Sequence, residues 1–406
     1  MARLGASAGN SLVETIVAMA LTLAITAVAL VLVDLARASF AVQPEAADMQ
    51  QRTRVAAGAL YKDIVMAGAG TTQGANVGPL IQYFAPVLPY RQGTNRDDPA
   101  GTFRTDAITL MYVPPTVAQT TLVGVGPAAV SADIGIDQGP GCPALDASCG
   151  FGIGMTTLLH DGSGAYDTFT VTGISPPGLH IERTGGVLTQ TAYAAPMTTV
   201  TEIRNIVYSL KTDPSTHLSQ LVTREGATGA DVPLVDHLVD LRFDYYGDPQ
   251  PPMLTTDPSG YPTRPTTTYG PVPPALLDQV PTAGYPPGEN CTFAVDPAGG
   301  QQVPRLQVLD ESGASNGVVL LTPPQLTDGP WCPDPMNANR WDADLLRIRT
   351  IAVTMRIEAA DAALRGPAGV LFINSGTARS GTRWLPDQTV RFQITPWNLR
   401  KLRIQN

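Results

Sequence analysis

Charged side chains are scarce in this sequence of 406 residues, since Asp, Glu, Lys and Arg together make up 15% of it. Glycine and proline, with 39 and 37 residues, are abundant by contrast. This combination argues against a helical enzyme and favours strands joined by long loops. The formal net charge of −9 argues against a protein that coats nucleic acid, because such proteins carry an excess of cations.

Cysteine and histidine are also rare, with four residues of each. The sequence has no C-x-x-C pair and no histidine at ligand spacing from a cysteine, so no zinc site is expected. An even number of cysteines instead predicts disulfides, which form outside the cytoplasm. Four cysteines allow three pairings, and proximity in sequence favours Cys142 with Cys149 and Cys291 with Cys332.

An uncharged apolar run of 19 residues occupies positions 15–33, directly after Glu14. As a helix it would measure about 28 Å, which is close to the hydrocarbon thickness of a bilayer. The run therefore predicts one membrane span. A carboxylate held at membrane depth costs about 2.5 to 3.5 kcal/mol, so an ionisable residue at this position suggests a function.

Three features coincide at the start of the chain: a short leader that ends at Gly9, the apolar run close behind it, and Glu14 as the fifth residue after Gly9. Together they resemble the type III signal of type IV prepilins. The resemblance implies that a prepilin peptidase cleaves between Gly9 and Asn10 and that the new amine of Asn10 is methylated, so the helix is kept. Asn10 departs from the family, whose members mostly have Phe or Met there.

The resemblance also implies a role for Glu14. A subunit that enters a filament brings a buried N-terminal ammonium, and a buried charge is tolerated only when it is paired. Glu14 of one copy would neutralise the Asn10 amine of the next copy and set the register between adjacent helices.

Two other interpretations of this segment remain open. Residues 15–33 could be a plain anchor whose Glu14 reaches the lipid headgroups. They could also belong to a secretory signal peptide cleaved after Ala36-Arg37-Ala38. Its apolar core would be longer than usual, and Arg3 is the only charged residue of the leader.

A helical pattern continues beyond the apolar run. We expect Pro44 to kink or restart the helix, and Gly68 and Gly70 to end it. One face of this second half carries a stripe that can cover a sheet, formed by Met49, Thr53, Ala56, Leu60 and Ile64.

Farther along the chain, the spacing of apolar residues changes from a helical period to a period of two. Apolar residues alternate with polar ones from Val239 to Tyr245 and from Val390 to Ile394, which predicts half-buried strands. Arg347–Ile357 changes its apolar face near Thr350, which allows a bulge there. Less regular runs lie at Ala107–Val113, Thr168–Ile174, Thr199–Leu210 and Leu218–Arg224.

The predicted fold class is α+β, with a long N-terminal α-helix, transmembrane in its first half, packed on a mainly antiparallel β-sheet in the lollipop arrangement of pilins. A long Pro/Gly-rich insertion, in which only Val318–Leu321 has the pattern of a strand, would be tied by the Cys291–Cys332 bridge. The predicted segments are a leader (1–9), the pilin helix (10–68), a β-rich domain (69–248), the insertion (249–344) and C-terminal strands that complete the β domain (345–406).

Segments behind the signal are similar to PilW-type minor pilins, namely Thr105–Leu110, Leu218–Gly226, Pro233–Tyr245, Leu346–Val353 after Trp341, and Pro396–Leu399. The resemblance implies a non-enzymatic minor pilin, without cofactor or metal, that takes part in the initiation, assembly or tip structure of a type IV pilus. Implied partners are the prepilin peptidase, the major pilin, other minor pilins and the inner-membrane assembly platform. The implied location is the inner membrane, spanned once, with a periplasmic C-terminal domain, and the pilus or pseudopilus after assembly.

Alternatives within and beyond that family remain. One is a pseudopilin of a type II secretion system, and another is a tip adhesin or DNA-capturing subunit that uses the insertion or the basic C-terminal strands. From Leu345 onward ten Arg or Lys residues oppose three acidic ones, a balance of +7. This asymmetry fits head-to-tail contacts, an anionic ligand, or basic and acidic strands that face each other within one domain.

Catalytic and metal motifs are weak. Gly313-Ala314-Ser315-Asn316-Gly317 fits G-x-S-x-G, but a helix does not follow and no histidine lies downstream. Residues 124–129 resemble a dinucleotide loop only superficially and predict a turn between strands. The four histidines are dispersed. Five residues could supply oxygen ligands to calcium, although their spacing is not that of an EF-hand, namely Asp334, Asn337, Asn339, Asp342 and Asp344.

Overall fold

The computed structural model describes residues 11–70, 80, 84–92, 98–99, 101–115, 118–127, 129–139, 142–143, 146–160, 166–183, 193, 195, 198–226, 229–255, 266–267, 270–271, 285–286, 288–310, 317–333, 340–365 and 385–400. The chain forms two compact units. The first consists of Met1–Arg52 and Glu358–Gln388, and the second of Thr53–Ile357 and Thr389–Asn406.

Helix α1 spans Leu12–Met66 and is the longest element. It passes through Pro44 without interruption, so the helix does not restart there. A proline removes one backbone hydrogen bond, and the turns on both sides retain theirs, which allows the helix to continue.

In the first unit, residues 358–365 are held by carboxylates and carbonyls. The Ala360 N–H donates to the Glu45 carboxylate on α1. The Arg365 guanidinium lies 3.2 Å from Glu358 Oε1 and also donates to the carbonyls of Ala359 and Ala360. These contacts place the buried Glu358 and Arg365 side chains in one ion pair.

Three 3-10 helices are described, at Pro324–Leu326, Ala343–Arg347 and Ala362–Leu364. The described residues also contain 22 strands and one further short α-helix. In chain order they are β1 (Val87–Leu88), β2 (Ala107–Tyr112), β3 (Gln119–Val123), β4 (Ser131–Ile136), β5 (Thr156–His160), β6 (Tyr166–Ser175), β7 (Gly178–Glu182), β8 (Thr199–Glu202), β9 (Arg204–Thr212), β10 (Ser219–Glu225), β11 (Val232–Asp236), β12 (Leu238–Gly247), β13 (Leu254–Thr255), β14 (Thr266–Thr267), β15 (Gly270–Pro271), β16 (Phe293–Val295), β17 (Gln302–Pro304), β18 (Val319–Leu321), β19 (Trp331–Pro333), β20 (Arg340–Asp342), β21 (Ile348–Ile357), β22 (Gln388–Ile394) and α2 (Trp397–Arg400).

These strands form a five-stranded sheet (β1-β2-β9-β10-β11), a four-stranded sheet (β18-β12-β21-β22), a closed barrel (β3-β4-β7-β6-β5-β8) and three small sheets. Every strand pair with a described register is antiparallel. The coarse prediction of an N-terminal apolar helix with a mostly antiparallel β domain is therefore confirmed.

The part of α1 in the second unit packs on the five-stranded sheet. Its stripe of Thr53, Ala56, Leu60 and Ile64 is buried. The buried carboxylate of Asp63 accepts hydrogen bonds from the hydroxyls of Tyr112 on β2, at 2.9 Å, and Tyr208 on β9. Burial and the nearby Asp63 charge raise the pKa of Tyr112 to about 12, so this phenol stays protonated and can donate at neutral pH.

Two glycines end α1, as the sequence predicts. Gly68 and Gly70 have positive φ angles of 74° and 137°. A Cβ on Gly70 would lie 2.4 Å from Val113 Cγ2, closer than two carbons can approach. Only glycine fits both the backbone conformation and the close approach of the chain after β2.

Strand β12 has the predicted alternation. Val239, Leu241, Phe243 and Tyr245 are buried, whereas the residues between them are more exposed. Its register with β21 slips where Tyr246 pairs with Thr350 and Gly247 pairs with Ile348, which leaves Arg349 as the extra residue of a bulge. The bulge lies at the position where the sequence allows one.

The barrel lies inside the predicted β-rich segment 69–248 and was not expected. The run Thr199–Leu210, predicted as one strand, is two strands in different assemblies, with β8 in the barrel and β9 in the sheet. They are separated by Ile203 alone. The barrel core is closed by side chains from every strand, among them Leu122, Ile134, Leu159, Phe169, Ile181 and Val200.

The insertion 249–344 contains more regular structure than the single strand expected. Strand β18 pairs with β12 and so adds to the four-stranded sheet, and β16 pairs with β17. The sequence predicts β18, as Val318–Leu321, but it misses β16 and β17 because three residues are too few to show a period.

Candidate functional site

The most unusual surface of the molecule is the first part of α1. Leu12–Val33 is the one helical stretch of the described residues that is long and apolar enough to span a membrane, with a mean hydropathy of 2.8. None of its 22 residues is buried by the rest of the chain. Apolar surface of this extent is not stable in water and must be covered by lipid or by other helices.

Glu14 lies at the head of this surface, in a reciprocal capping arrangement with Ser11. The Ser11 N–H donates to Glu14 Oε2 at 3.1 Å, and the Glu14 N–H donates to Ser11 Oγ at 3.2 Å. This S-x-x-E capping box satisfies two N–H groups of the first turn. No described residue hydrogen-bonds to Glu14 Oε1. The sequence motif could have revealed Ser11, which the sequence-based reasoning did not single out.

Gly9 and Asn10 lie outside the described residues, so cleavage and methylation at these positions stay predictions. The described part of the segment is nevertheless compatible with a bilayer. The hydroxyl of Thr26 donates to the Thr22 carbonyl at 2.7 Å, and that of Thr22 donates to the Ala18 carbonyl. The helix therefore satisfies these hydroxyls itself, as is required where water is absent.

Both disulfides favoured by proximity in sequence are present. Cys142 is bonded to Cys149 and Cys291 to Cys332. The first closes a loop between β4 and β5 of the barrel, and the second joins Cys291, just before β16, to β19 within the insertion. Disulfides of this kind persist in oxidising compartments.

One carboxylate cluster in the second unit has the spacing of a metal site. Oxygens of Asp328, Asp342 and Asp344 lie within 4.8 Å of one another. Asp344, however, forms an ion pair with the fully buried Arg347. Asp342 accepts the N–H groups of Asp344, at 2.8 Å, and Gly329, at 2.6 Å. A cation would have to compete with Arg347, so the cluster is better explained as a structural ion pair.

Burial raises the pKa of Asp342 to about 7 and also raises the pKa of Asp344, although Arg347 opposes the latter shift. Asp328 was not singled out from the sequence, because it is separated from Asp342 by two short strands. Of the other calcium candidates, Asp334, Asn337 and Asn339 lie outside the described residues.

A second polar cluster, distinct from that of Asp328, Asp342 and Asp344, lies on the outer surface of the barrel. His180 Nδ1 lies 2.7 Å from Asp133 Oδ1, and Nε2 lies 3.4 Å from Glu182 Oε1 and 3.3 Å from Ser131 Oγ. The hydrogen bond with Asp133, joined by Glu182, raises the pKa of His180. Both ring nitrogens of His180 face carboxylates on an exposed surface, so we interpret this Ser-His-Asp arrangement as a surface ion-pair cluster and not as a nucleophilic triad.

Four described cations of the basic C-terminal segment are withdrawn from solvent, whereas Arg391 on β22 is 58% exposed, with its guanidinium 3.9 Å from Asp244 Oδ2. Arg347, Arg349, Arg356 and Arg365 are all buried. Arg349 Nε lies 2.7 Å from Asp248 Oδ2, and Arg347 donates to the carbonyl of Pro249 at 3.2 Å. These contacts favour the interpretation in which basic and acidic segments face each other within one domain. Lys401 and Arg403, like Ser315 of the G-x-S-x-G motif, lie outside the described residues.

No protein-family model, curated protein sequence or solved structure matches this chain. The feature of the described residues that points most directly to a function is Glu14 at the start of the exposed apolar helix segment Leu12–Val33.

Proposed function

We propose that this chain is a prepilin-like minor pilin of the PilW type, which a prepilin peptidase processes after Gly9 and which then enters a pilus or pseudopilus. One observation carries the proposal. Glu14, five residues after Gly9, lies at the start of a membrane-length helix of which no residue is buried by the chain itself. A plain anchor explains the apolar surface and needs Glu14 only to cap the helix or to reach the headgroups, whereas a prepilin signal also accounts for its place five residues after Gly9.

The exposed helix has two environments that can cover it. In the membrane, lipid covers Leu12–Val33. In a filament, the same surface packs against the helices of neighbouring subunits, so the subunit can leave the bilayer without exposing apolar area to water. Transfer between these environments requires that the rest of the chain does not cover the helix. No residue of Leu12–Val33 is buried by the rest of the chain.

The geometry of Glu14 suits a contact with a neighbouring amine. Oε2 accepts the Ser11 N–H at 3.1 Å, which orients the carboxylate at the helix N-terminus. Oε1 remains for an ammonium group, supplied in the proposal by the methylated amine of Asn10 on the next copy. A charge-assisted contact of this kind strengthens when water is excluded, which favours assembly over isolated subunits.

The β domain and its two disulfides support placement of the C-terminal part in the periplasm, because disulfides are rare in the cytoplasm. The partners of the proposal are the prepilin peptidase, the major pilin, other minor pilins and the inner-membrane assembly platform. A type II secretion pseudopilin would use the same site. Capture of DNA by the C-terminal strands has less support, because Arg347, Arg349 and Arg356 are buried and, of the described residues of β21 and β22, Arg391 alone is an exposed cation.

The experiment compares Glu14→Ala with Thr15→Ala in the full chain, expressed in the native host with its filament machinery. Both variants should insert into the inner membrane as the wild type does, because residues 15–33 remain apolar. Glu14→Ala should be at least about tenfold depleted from sheared filaments, since it loses the charge pair. Thr15→Ala should assemble normally. Wild-type incorporation of Glu14→Ala would contradict the proposed role of this carboxylate.

A further inference from the structure

The part of α1 in the second unit has an outward face with a glycine, Gly58, at its centre. Residues three and four apart are neighbours on the surface of a helix. Gly58 is therefore bordered by Arg54 and Val55 on one side and by Tyr61 and Lys62 on the other. All five residues are exposed. We call these five residues the Gly58 face.

The fold of the chain does not require a glycine at position 58. A glycine inside a helix makes the helix less stable than alanine would. At Gly70 a Cβ would collide with Val113, but a Cβ on Gly58 would find nothing within 4 Å beyond the local turns of the helix. Gly58 instead leaves a shallow gap on the outside of α1, in which atoms of another molecule can come close to the helix backbone.

Two exposed apolar side chains border this gap. Val55 and Tyr61 lie three residues before and three residues after Gly58, and they are 44% and 57% exposed. They are the only exposed large apolar side chains described on α1 after Val33. The helix geometry places both beside the gap, so the apolar surface is continuous across Gly58.

Two cations without a described partner lie at the ends of the Gly58 face. The side chains of Arg54 and Lys62 form no hydrogen bond or ion pair with any residue that the structure describes. Nearby acidic residues of α1 are engaged elsewhere, since Asp48 pairs with Arg52 and Asp63 is buried against two tyrosines. The face therefore presents two positive charges in a chain whose net charge is −9.

We propose that the Gly58 face docks an α-helix of another protein chain, one that carries acidic side chains on both sides of a small residue. The small residue lies over Gly58, its apolar neighbours cover Val55 and Tyr61, and its carboxylates pair with Arg54 and Lys62. The same face of a second copy does not fit, because cations would meet cations. Nucleic acid and anionic lipid would use the two charges but not the gap. The inference does not depend on the pilin assignment, since it uses only this part of α1.

The test uses the full chain in nanodiscs of neutral phosphatidylcholine and a fluorescent, alanine-rich helical peptide. The peptide carries leucine three residues, and glutamate four residues, on either side of a central alanine. Binding is followed by anisotropy and should weaken as salt rises from about 50 to about 300 mM, because salt screens the charge pairs. Peptides with lysine in place of glutamate, or serine in place of leucine, should bind at least about tenfold more weakly. Absence of binding by the wild type at about 1 mM peptide would overturn the proposal.

A variant that fills the gap separates docking from folding. Gly58→Leu should reduce the affinity for the glutamate–leucine peptide at least about tenfold. It should not lower the urea midpoint of unfolding, because leucine favours helix and a Cβ at this position has open space. Gly317→Leu is the matched control, since a Cβ on that exposed glycine also finds nothing within 4 Å. It should bind the peptide as the wild type does.

A second variant tests the charges. Arg54→Gln/Lys62→Gln should reduce the affinity about tenfold or more and remove most of its salt dependence. Arg242→Gln/Arg391→Gln makes the same charge change on two exposed side chains of the four-stranded sheet and should leave binding unchanged. Binding equal to that of the wild type by Gly58→Leu or by Arg54→Gln/Lys62→Gln would overturn the proposal. Tighter binding of duplex DNA or of phosphatidylserine vesicles than of the peptide would overturn it as well.

Discussion

Glu14 Oε2 accepts a hydrogen bond from the Ser11 N–H at 3.1 Å, while Ser11 Oγ accepts one from the Glu14 N–H at 3.2 Å. Glu14 therefore has a local task, the capping of α1, in addition to the charge pairing proposed for it. The two tasks can be separated by chemistry. Capping needs a side-chain acceptor, whereas pairing with an ammonium group needs a negative charge.

Glu14→Gln separates the two tasks. Glutamine also serves in a capping box, so the helix start and membrane insertion should be retained. Assembly should nevertheless be as defective as in Glu14→Ala, because the charge is gone. The measurement is the ratio of filament-bound to membrane-bound protein for the two variants. If Glu14→Gln assembles like the wild type, capping explains the importance of Glu14 and charge pairing does not.

Asp63 should stabilise the contact between α1 and the five-stranded sheet through its two tyrosine donors. Tyr208→Phe removes one donor from a buried carboxylate and should lower the free energy of unfolding by about 1 to 3 kcal/mol. Tyr61→Phe, on the exposed face of the same helix, should change it by less than about 0.5 kcal/mol. Urea unfolding of the two variants measures the difference. Equal effects of the two variants would show that the hydrogen bond from Tyr208 to Asp63 does not stabilise the packing of α1 on the five-stranded sheet.

The two disulfides should differ in their contribution to stability. In the chain-entropy model, a link across 41 residues, as for Cys291–Cys332, contributes about 4 kcal/mol, and one across 7, as for Cys142–Cys149, about 2.5 kcal/mol. Replacing each pair by serine and comparing unfolding midpoints tests the order. A larger loss from the Cys142/Cys149 pair would show that loop closure does not govern the effect.

Stability should depend on pH through Asp342. Burial raises the pKa of Asp342 from 3.8 to about 7, so the folded state binds more protons than the unfolded state between these values. The contribution of Asp342 to the free energy of unfolding therefore falls as pH rises from about 4 to about 7. Asp342→Asn should remove this part of the pH dependence. Identical slopes for wild type and variant in urea unfolding over that range would refute the assignment.

The elements with the clearest predicted pattern have one buried face. Strand β12 alternates because one side of its sheet is covered, and the α1 stripe ending at Ile64 repeats every three or four residues because one side of the helix is covered. Strand β5 was missed because all five of its residues, Thr156–His160, are buried and no alternation remains. The boundary between β8 and β9 was missed because Ile203 alone separates the two strands and no glycine, proline or turn residue marks it.

The partners of buried charges could not be predicted from the sequence. Arg349 pairs with Asp248, about a hundred residues earlier, and Asp63 meets Tyr208 only after the chain has passed through the barrel. Folding brings these residues together, and no local spacing marks them. Glu14 was identified because its signal is local: a carboxylate directly before an apolar run.

The central claim concerns the start of the mature protein, and mass spectrometry of the N-terminus of chain purified from the native host tests it most directly. The account predicts a chain that begins at Asn10 with a methylated amine. An intact start at Met1 would support a plain anchor, and a start at Ser39 would support a discarded signal peptide. Either result would contradict the proposal that this helix is carried into a filament.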